Sequence, residues 1–225
     1  MKALGVILHI LWKDLACEYR SRKNVSSVLF FSLLVLVIFN FVFEPGSPAL
    51  KESSAAILWV AFTFAGVISL NSSFAREEED GALQGLLMSP VDRSLIYLGK
   101  FSANLALLGI NQGLIFPIFC VFFNLSPWRQ LPALLAVVVL TDIGFSAVGT
   151  LFAAMAGALR TREIMLPVLL FPIIVPIIIA SVKSTAMLLD PQRVLELQPW
   201  LQILAAFDLV YVALGALVFP YVVEE

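Results

Sequence analysis

The sequence predicts an all-α integral membrane protein: six transmembrane helices preceded by an amphipathic helix lying in the membrane interface. Three observations predict it. First, 60% of the 225 residues are hydrophobic and only 13% are charged, about half the charged share of a soluble domain. Second, six apolar runs are each long enough to cross the roughly 30 Å hydrocarbon layer, which takes about 20 residues. Third, lysines and arginines fall mainly on one side of those runs, as the positive-inside rule requires.

The predicted spans are Val25–Phe43, Ala55–Phe74, Phe101–Leu125, Leu131–Leu159, Ile164–Val182 and Leu201–Val223. Each holds no charge or a single acid. The runs are too long and too uniform for the ten-residue alternation of a β-barrel strand. With the N-terminus placed in the cytoplasm, the inner connections hold ten of the fourteen basic residues and the outer ones four. Both termini are therefore expected in the cytoplasm. No separate soluble catalytic domain fits beside six spans. Cys17 and Cys120 fall in a cytoplasmic helix and inside a span, so no structural disulfide is expected. No secretory signal peptide is expected either, because the 24 residues before the first apolar run exceed an ordinary n-region.

Two domains follow: residues 1–24 as the interfacial helix, and 25–225 as the transmembrane unit. At about 100° per residue, Leu4, Leu8, Leu11, Trp12, Leu15 and Tyr19 fall on one arc of the first helix, with His9, Lys13 and Arg20 on another. Trp12 suits the headgroup level and the basic residues suit water. Trp12, Lys13, Asp14, Glu18 and Arg20 are the candidate residues of this elbow.

The connection Ala75–Lys100 is the most informative. Four acids in a row, Glu77–Asp80, sit directly beneath a span. Gly81 then breaks the helix, and Leu83, Leu86 and Leu87 recur at helical spacing before Ser89-Pro90 stops the segment. Asp92 is placed to cap the next helix. A short helix with a leucine face needs cover, since each leucine left in water forgoes about 1.5–3 kcal/mol. A lipid surface or a partner's groove would provide it.

These residues carry a family resemblance. Glu77-x-Glu79-x-Gly81-Ala-Leu-x-x-Leu-Leu-x-Ser-Pro-Val, followed by Ile96-x-x-Gly-Lys100, resembles the signature of ABC-2 type exporter permeases, whose fold is the type V exporter-like one. The resemblance narrows to the CcmB family of cytochrome c biogenesis permeases through Trp12-Lys-Asp-Leu-x-x-Glu18-x-Arg20, through Arg76 and Asp80-Gly-Ala-Leu83, and through Leu166–Pro176 with Pro167, Pro172 and Pro176. It covers the chain from about residue 8 to the end.

The resemblance implies that a stretch of about residues 76–93 forms a coupling helix seated on a separate ATPase subunit. Arg76, Glu77, Glu79, Asp80, Gly81, Leu83, Leu86, Leu87 and Pro90 are its coupling residues. It further implies two copies of a CcmA-like ATPase, a second copy of this chain, CcmC-like and CcmD-like membrane proteins, and a CcmE-like haem chaperone. The Lys183–Trp200 segment would include short re-entrant helices at the outer face. The chain itself lacks G-x-x-x-x-G-K-[ST], the phosphate-cradling loop, so it is not expected to be an enzyme: ATP belongs to the partner.

Within the spans, Pro167, Pro172 and Pro176 each remove a backbone donor and kink or hinge their helix. Asp142 lies about 16 Å and Asp208 about 12 Å from the outer ends of their spans at 1.5 Å per residue. Lone acids in hydrocarbon must face protein or water, and Asp142 is expected to bond Thr141 or Ser146. These five are pathway or hinge candidates. No cofactor is expected on this chain: His9 is the sole histidine, no C-x-x-C-H occurs, and Met155, Met165 and Met187 suit packing. Haem is then handled by the complex, with release of a haem-loaded chaperone driven by movement of this subunit. The alternatives are an ABC-2 exporter of another lipid, drug or polysaccharide, and a non-transporting scaffold. Nothing points to nucleic acid.

Overall fold

The computed structural model describes residues 3–21, 23–44, 47–79, 85, 88, 91–157, 162–190 and 197–223. They form seven long helices: α1 (Ala3–Ser21), α2 (Lys23–Val42), α3 (Pro48–Glu79), α4 (Arg93–Phe122), α5 (Leu131–Gly157), α6 (Arg162–Leu189) and α7 (Gln198–Val222). A short 3₁₀ turn, Pro127–Arg129, precedes α5. Six of the seven, α2 to α7, are long and apolar enough to cross a membrane. No strand occurs among the described residues.

Helices α3 and α5 form the centre. α3 packs on α2, α4, α5 and α6, and α5 packs on α3, α4, α6 and α7. In lipid there is no hydrophobic drive between spans, so close approach and interhelical hydrogen bonds decide the packing. Glycines permit the approach: a Cβ at Gly66 would lie 2.6 Å from the Phe145 ring, and one at Gly149 would strike Leu70. Buried polar pairs then tie helix to helix. Asn24 Nδ2 of α2 donates to Ser69 Oγ of α3 at 3.0 Å, and Trp59 Nε1 of α3 donates to Thr185 Oγ1 of α6 at 2.8 Å. Asn104 Nδ2 of α4 donates to Thr150 Oγ1 of α5 at 2.9 Å.

Four helices run past the expected span limits. α3 begins at Pro48, so Lys51 and Glu52 are helical, and it continues to Glu79. The acidic run therefore starts on a helix rather than in a loop. α4 begins at Arg93, not Phe101. Hydropathy reads Arg93 and Lys100 as surface, but α1 takes Lys100 inside the bundle and α7 half-buries Arg93. α6 continues to Leu189 and α7 starts at Gln198. Residues 183–189 thus extend α6, which corrects the expectation of re-entrant helices there; residues 191–196 lie outside the described ones.

α6 runs as one helix through Pro167, Pro172 and Pro176, the positions expected to kink or hinge it. Neighbours α3, α5 and α7 hold it on one side. Pro172 and Pro176 lie on the other, exposed side, beside Val168 and Val175.

The close contact of Gly215 with Tyr97 makes a test. A Cβ at Gly215 would collide with the Tyr97 ring and hydroxyl, while one at Gly109 meets nothing within 4 Å. Gly215→Ala is expected to cost about 1–3 kcal/mol by overpacking. Gly109→Ala should be neutral or stabilising by up to about 1 kcal/mol. Denaturation of the detergent-solubilised chain followed by circular dichroism reads both.

Candidate functional site

Asp92 starts α4, as its position suggested: its Oδ1 accepts from Ser94 N at 2.9 Å, an N-cap. From there the first two turns of α4 reach three other helices. Ser94 Oγ donates to Ala216 O of α7 at 3.0 Å. That carbonyl would have bonded the amide of residue 220, but Pro220 has none. The serine therefore satisfies the group that the proline frees. Arg93 Nη1 donates to Pro220 O at 3.4 Å. Tyr97, fully buried, donates its hydroxyl to Ala147 O of α5 at 3.1 Å and packs its ring on Phe219 of α7 at 5.5 Å.

The next turn grips α1. A Cβ on Gly99 would lie 2.8 Å from Ile10 Cδ1, so this glycine lets the two helices touch. Lys100 Nζ then forms an ion pair with Asp14 Oδ2 at 2.7 Å, with the lysine side chain 1% and the aspartate side chain 9% exposed. Lys13 Nζ lies 3.1 Å from the other carboxylate oxygen. Glu18, also buried, accepts from Val25 N at 3.0 Å and so holds the first turn of α2. α4 has 30 residues, about 45 Å, against a hydrocarbon layer of roughly 30 Å. Its first turns thus stand at the membrane surface, where a buried ion pair is affordable.

α1 therefore differs from its expected form. The face buried against the bundle carries Val6, Ile10, Asp14 and Glu18. The apolar arc of Leu4, Leu8, Trp12 and Tyr19 is the exposed one, left for lipid, and Arg20 is exposed beside it. The helix thus has a mixed face of two aliphatic and two acidic side chains against the bundle and an apolar face left exposed. Gly99-Lys100, the nearest approach to a phosphate-loop ending, is packed inside a helix and cannot cradle a nucleotide.

Of the coupling residues, Asp80, Gly81, Leu83, Leu86, Leu87 and Pro90 lie outside the described residues. Arg76, Glu77 and Glu79 fall on the last turns of α3. Met88, between them and α4, is exposed. The segment is thus suspended between the end of α3 and the capped start of α4.

Deeper in the bundle, Asp142 accepts from Gln112 Nε2 of α4 at 2.7 Å. Gln112, not Thr141 or Ser146, is its partner. Thr141 is engaged instead with Val137 O at 2.7 Å and with Ser181 Oγ at 2.6 Å. Asp208 lies on the other side of α5, where Gly144 leaves room for its carboxylate: a Cβ there would be 2.6 Å from Oδ1. Neither Asp208 oxygen has a hydrogen-bond partner among the described residues. Both acids are buried at one level of α5 but on opposite sides of it. At the far end of the bundle, an open groove of about 660 Å³ is lined by Lys51, Glu52, Lys183, Met187 and Asp190 among others. Among the described residues no group of three or more His, Cys, Asp or Glu could hold a metal ion.

The model of the CcmB protein family matches residues 5–225. The chain belongs to the CcmB family. Its curated relatives include Heme exporter protein B of Bradyrhizobium diazoefficiens, 29% identical over 96% of this chain and 94% of that one. Heme exporter protein B of Pseudomonas aeruginosa is 28% identical over 76% of each chain, and that of Haemophilus influenzae 26% over 77% and 78%. Membership explains the strand-free, six-span architecture, which fits the ABC-2-like permease fold expected from the motifs. What motif reading missed in this CcmB chain is the role of Arg93, Ser94, Tyr97 and Lys100. Gly99-Lys100 stood inside the quoted signature, but nothing in one sequence reveals that Asp14 is its partner.

Removing one member of a buried pair strands the other. Lys100→Ala should cost about 3–5 kcal/mol. Asp14→Leu with Lys100→Met should recover most of that loss. A double-mutant cycle on thermal unfolding in detergent checks it.

Proposed function

We propose that the chain is the membrane permease subunit of an ATP-driven complex for haem export in cytochrome c maturation. Supporting this are membership of the CcmB family, relatives named Heme exporter protein B, and six membrane-capable helices. In this reading ATP is hydrolysed by a CcmA-like partner, present in two copies, because the sequence carries no phosphate loop. The partner grips residues 76–93, which places that end of the bundle, with both termini, in the cytoplasm of a cell whose inner membrane holds the complex. Ten of fourteen basic residues on that side favour this orientation.

The arrangement of α4 carries the mechanism. A push on the coupling segment reaches Asp92 first and then the turns that hold α1, α5 and α7 together. Those helices then move as one packed body, since packed interfaces have discrete arrangements rather than continuous ones. A second copy of the chain, with CcmC-like and CcmD-like neighbours and a CcmE-like haem chaperone, completes the assembly.

The proline face of α6 suits the second copy or a hydrated path. Pro172 and Pro176 free the carbonyls of Val168 and Pro172, and no side chain among the described residues donates to either. Ser94 meets that need for Ala216; here it must come from water or another chain, because lipid offers no donor. Haem enters as cargo of the complex. His9, the one histidine, is exposed on α1 and its ring nitrogen is engaged with Gly5 O. That favours a chain that drives release of a haem-loaded chaperone over one that ligates haem itself.

Co-purification with the nucleotide-binding subunit tests the reading. Gly81→Asp and Leu86→Asp, each placing a charge in the leucine-faced segment, should weaken association about tenfold or more, as loss of a buried interface anchor does. Unchanged association, or a wild-type complex that lacks any ATPase, would overturn it.

A further inference from the structure

We propose that the cavity beside Asp142 is a binding site for one small monovalent cation, sodium or a proton taken up on the carboxyl itself. The cavity lies between α3, α4, α5 and α6 and leaves about 10 Å³ of room for the centre of a water-sized sphere. That is about the room one water molecule or a bare sodium ion takes.

Its chemistry is that of a cation site. Thr63, Gln112, Thr141 and Asp142 bring hydroxyl, amide and carboxylate oxygens to the lining, the hard donors that alkali and proton-like cations select. Gln112 is 6% exposed and Asp142 3%. The Gln112 amide spends its N–H on Asp142, while its Oε1 is buried without a partner. A cation in the cavity satisfies that oxygen and the carboxylate together.

An ionised Asp142 calls for a positive charge there; without one the carboxyl keeps its own proton. None of the lining residues is Lys, Arg or His, and Asp142 is the one acid among them. Trp59 and Thr63 face it from α3, Leu108 and Gln112 from α4, and Ile178 from α6, none of them charged. On the α7 side of α5 the titratable group is Asp208, against Gly144. An ionised carboxyl so enclosed, with no cationic neighbour, is among the most expensive groups a membrane helix can carry. A resident cation offsets that cost.

Trp59 lines the cavity and is 2% exposed, so it reports on the site. The full chain in lipid nanodiscs, with Trp12→Phe, Trp128→Phe and Trp200→Phe, keeps Trp59 as the one tryptophan of the four. Its emission is followed during sodium chloride titration against choline chloride at fixed pH, and during a pH titration in choline chloride. A saturable change in the first arm identifies sodium; a change confined to the second identifies the proton. Asp142→Asn should weaken the response about tenfold or more, the effect of removing a charged ligand. Thr63→Val, which keeps the carboxyl, should weaken it several-fold and serves if the first variant does not fold. Emission indifferent to both titrations, or a response that survives both substitutions, overturns the proposal. No ATPase subunit is needed, so the outcome stands apart from that of the coupling experiment.

Discussion

The ion pair of Lys100 with Asp14 fixes the geometry on which the rest of the bundle depends. A lysine side chain only 1% exposed persists because its partner is in place, and that partner sits on a helix outside the transmembrane bundle. The pair therefore forces α1 onto α4, with Gly99 removing the Cβ that would keep them apart. Glu18 continues the same logic by holding the first turn of α2. The N-terminal helix is thereby attached to two membrane-capable helices through charged groups.

The turns just before Lys100 apply a different constraint to α5 and α7. In lipid, a backbone carbonyl without a donor is costly, and Pro220 creates one at Ala216. Ser94 answers it, while the buried Tyr97 hydroxyl finds its own acceptor in Ala147 O, and both come from the stretch that Asp92 caps. Three helix contacts and one cap thus converge on nine consecutive residues, Asp92 to Lys100. A permease needs such a convergence, because a force applied at one short segment has to move several spans at once.

Much of this was legible in the sequence and part was not. Span number follows from apolar length alone, since hydrocarbon thickness is fixed, and Asp92 announced its cap because capping is local. Lys100 and Arg93 misled the span limits because hydropathy assigns a charge to the surface, whereas a partner from a distant helix can hold it inside. α1 misled for a related reason: one apolar arc is enough for a helix on water, but a helix between lipid and protein needs a second face for the bundle. Gln112 as the partner of Asp142 depends on how α4 and α5 register, which no single-sequence pattern encodes. The three prolines of α6 mark a site for a kink or hinge from the sequence, but how α3, α5 and α7 pack along that helix is set by tertiary contacts no local pattern encodes.

The most direct test of the account is the distance between α1 and α4 through the ATPase cycle. Spin labels at Cys17, which is exposed on α1, and at Ile110, exposed on α4, with Cys120 replaced, would report it by pulsed electron resonance in the assembled complex. One narrow distance, unchanged between nucleotide-free and nucleotide-trapped states while α4 moves relative to the ATPase, is the predicted result. An α1 that separates from α4 as the complex turns over would contradict the account.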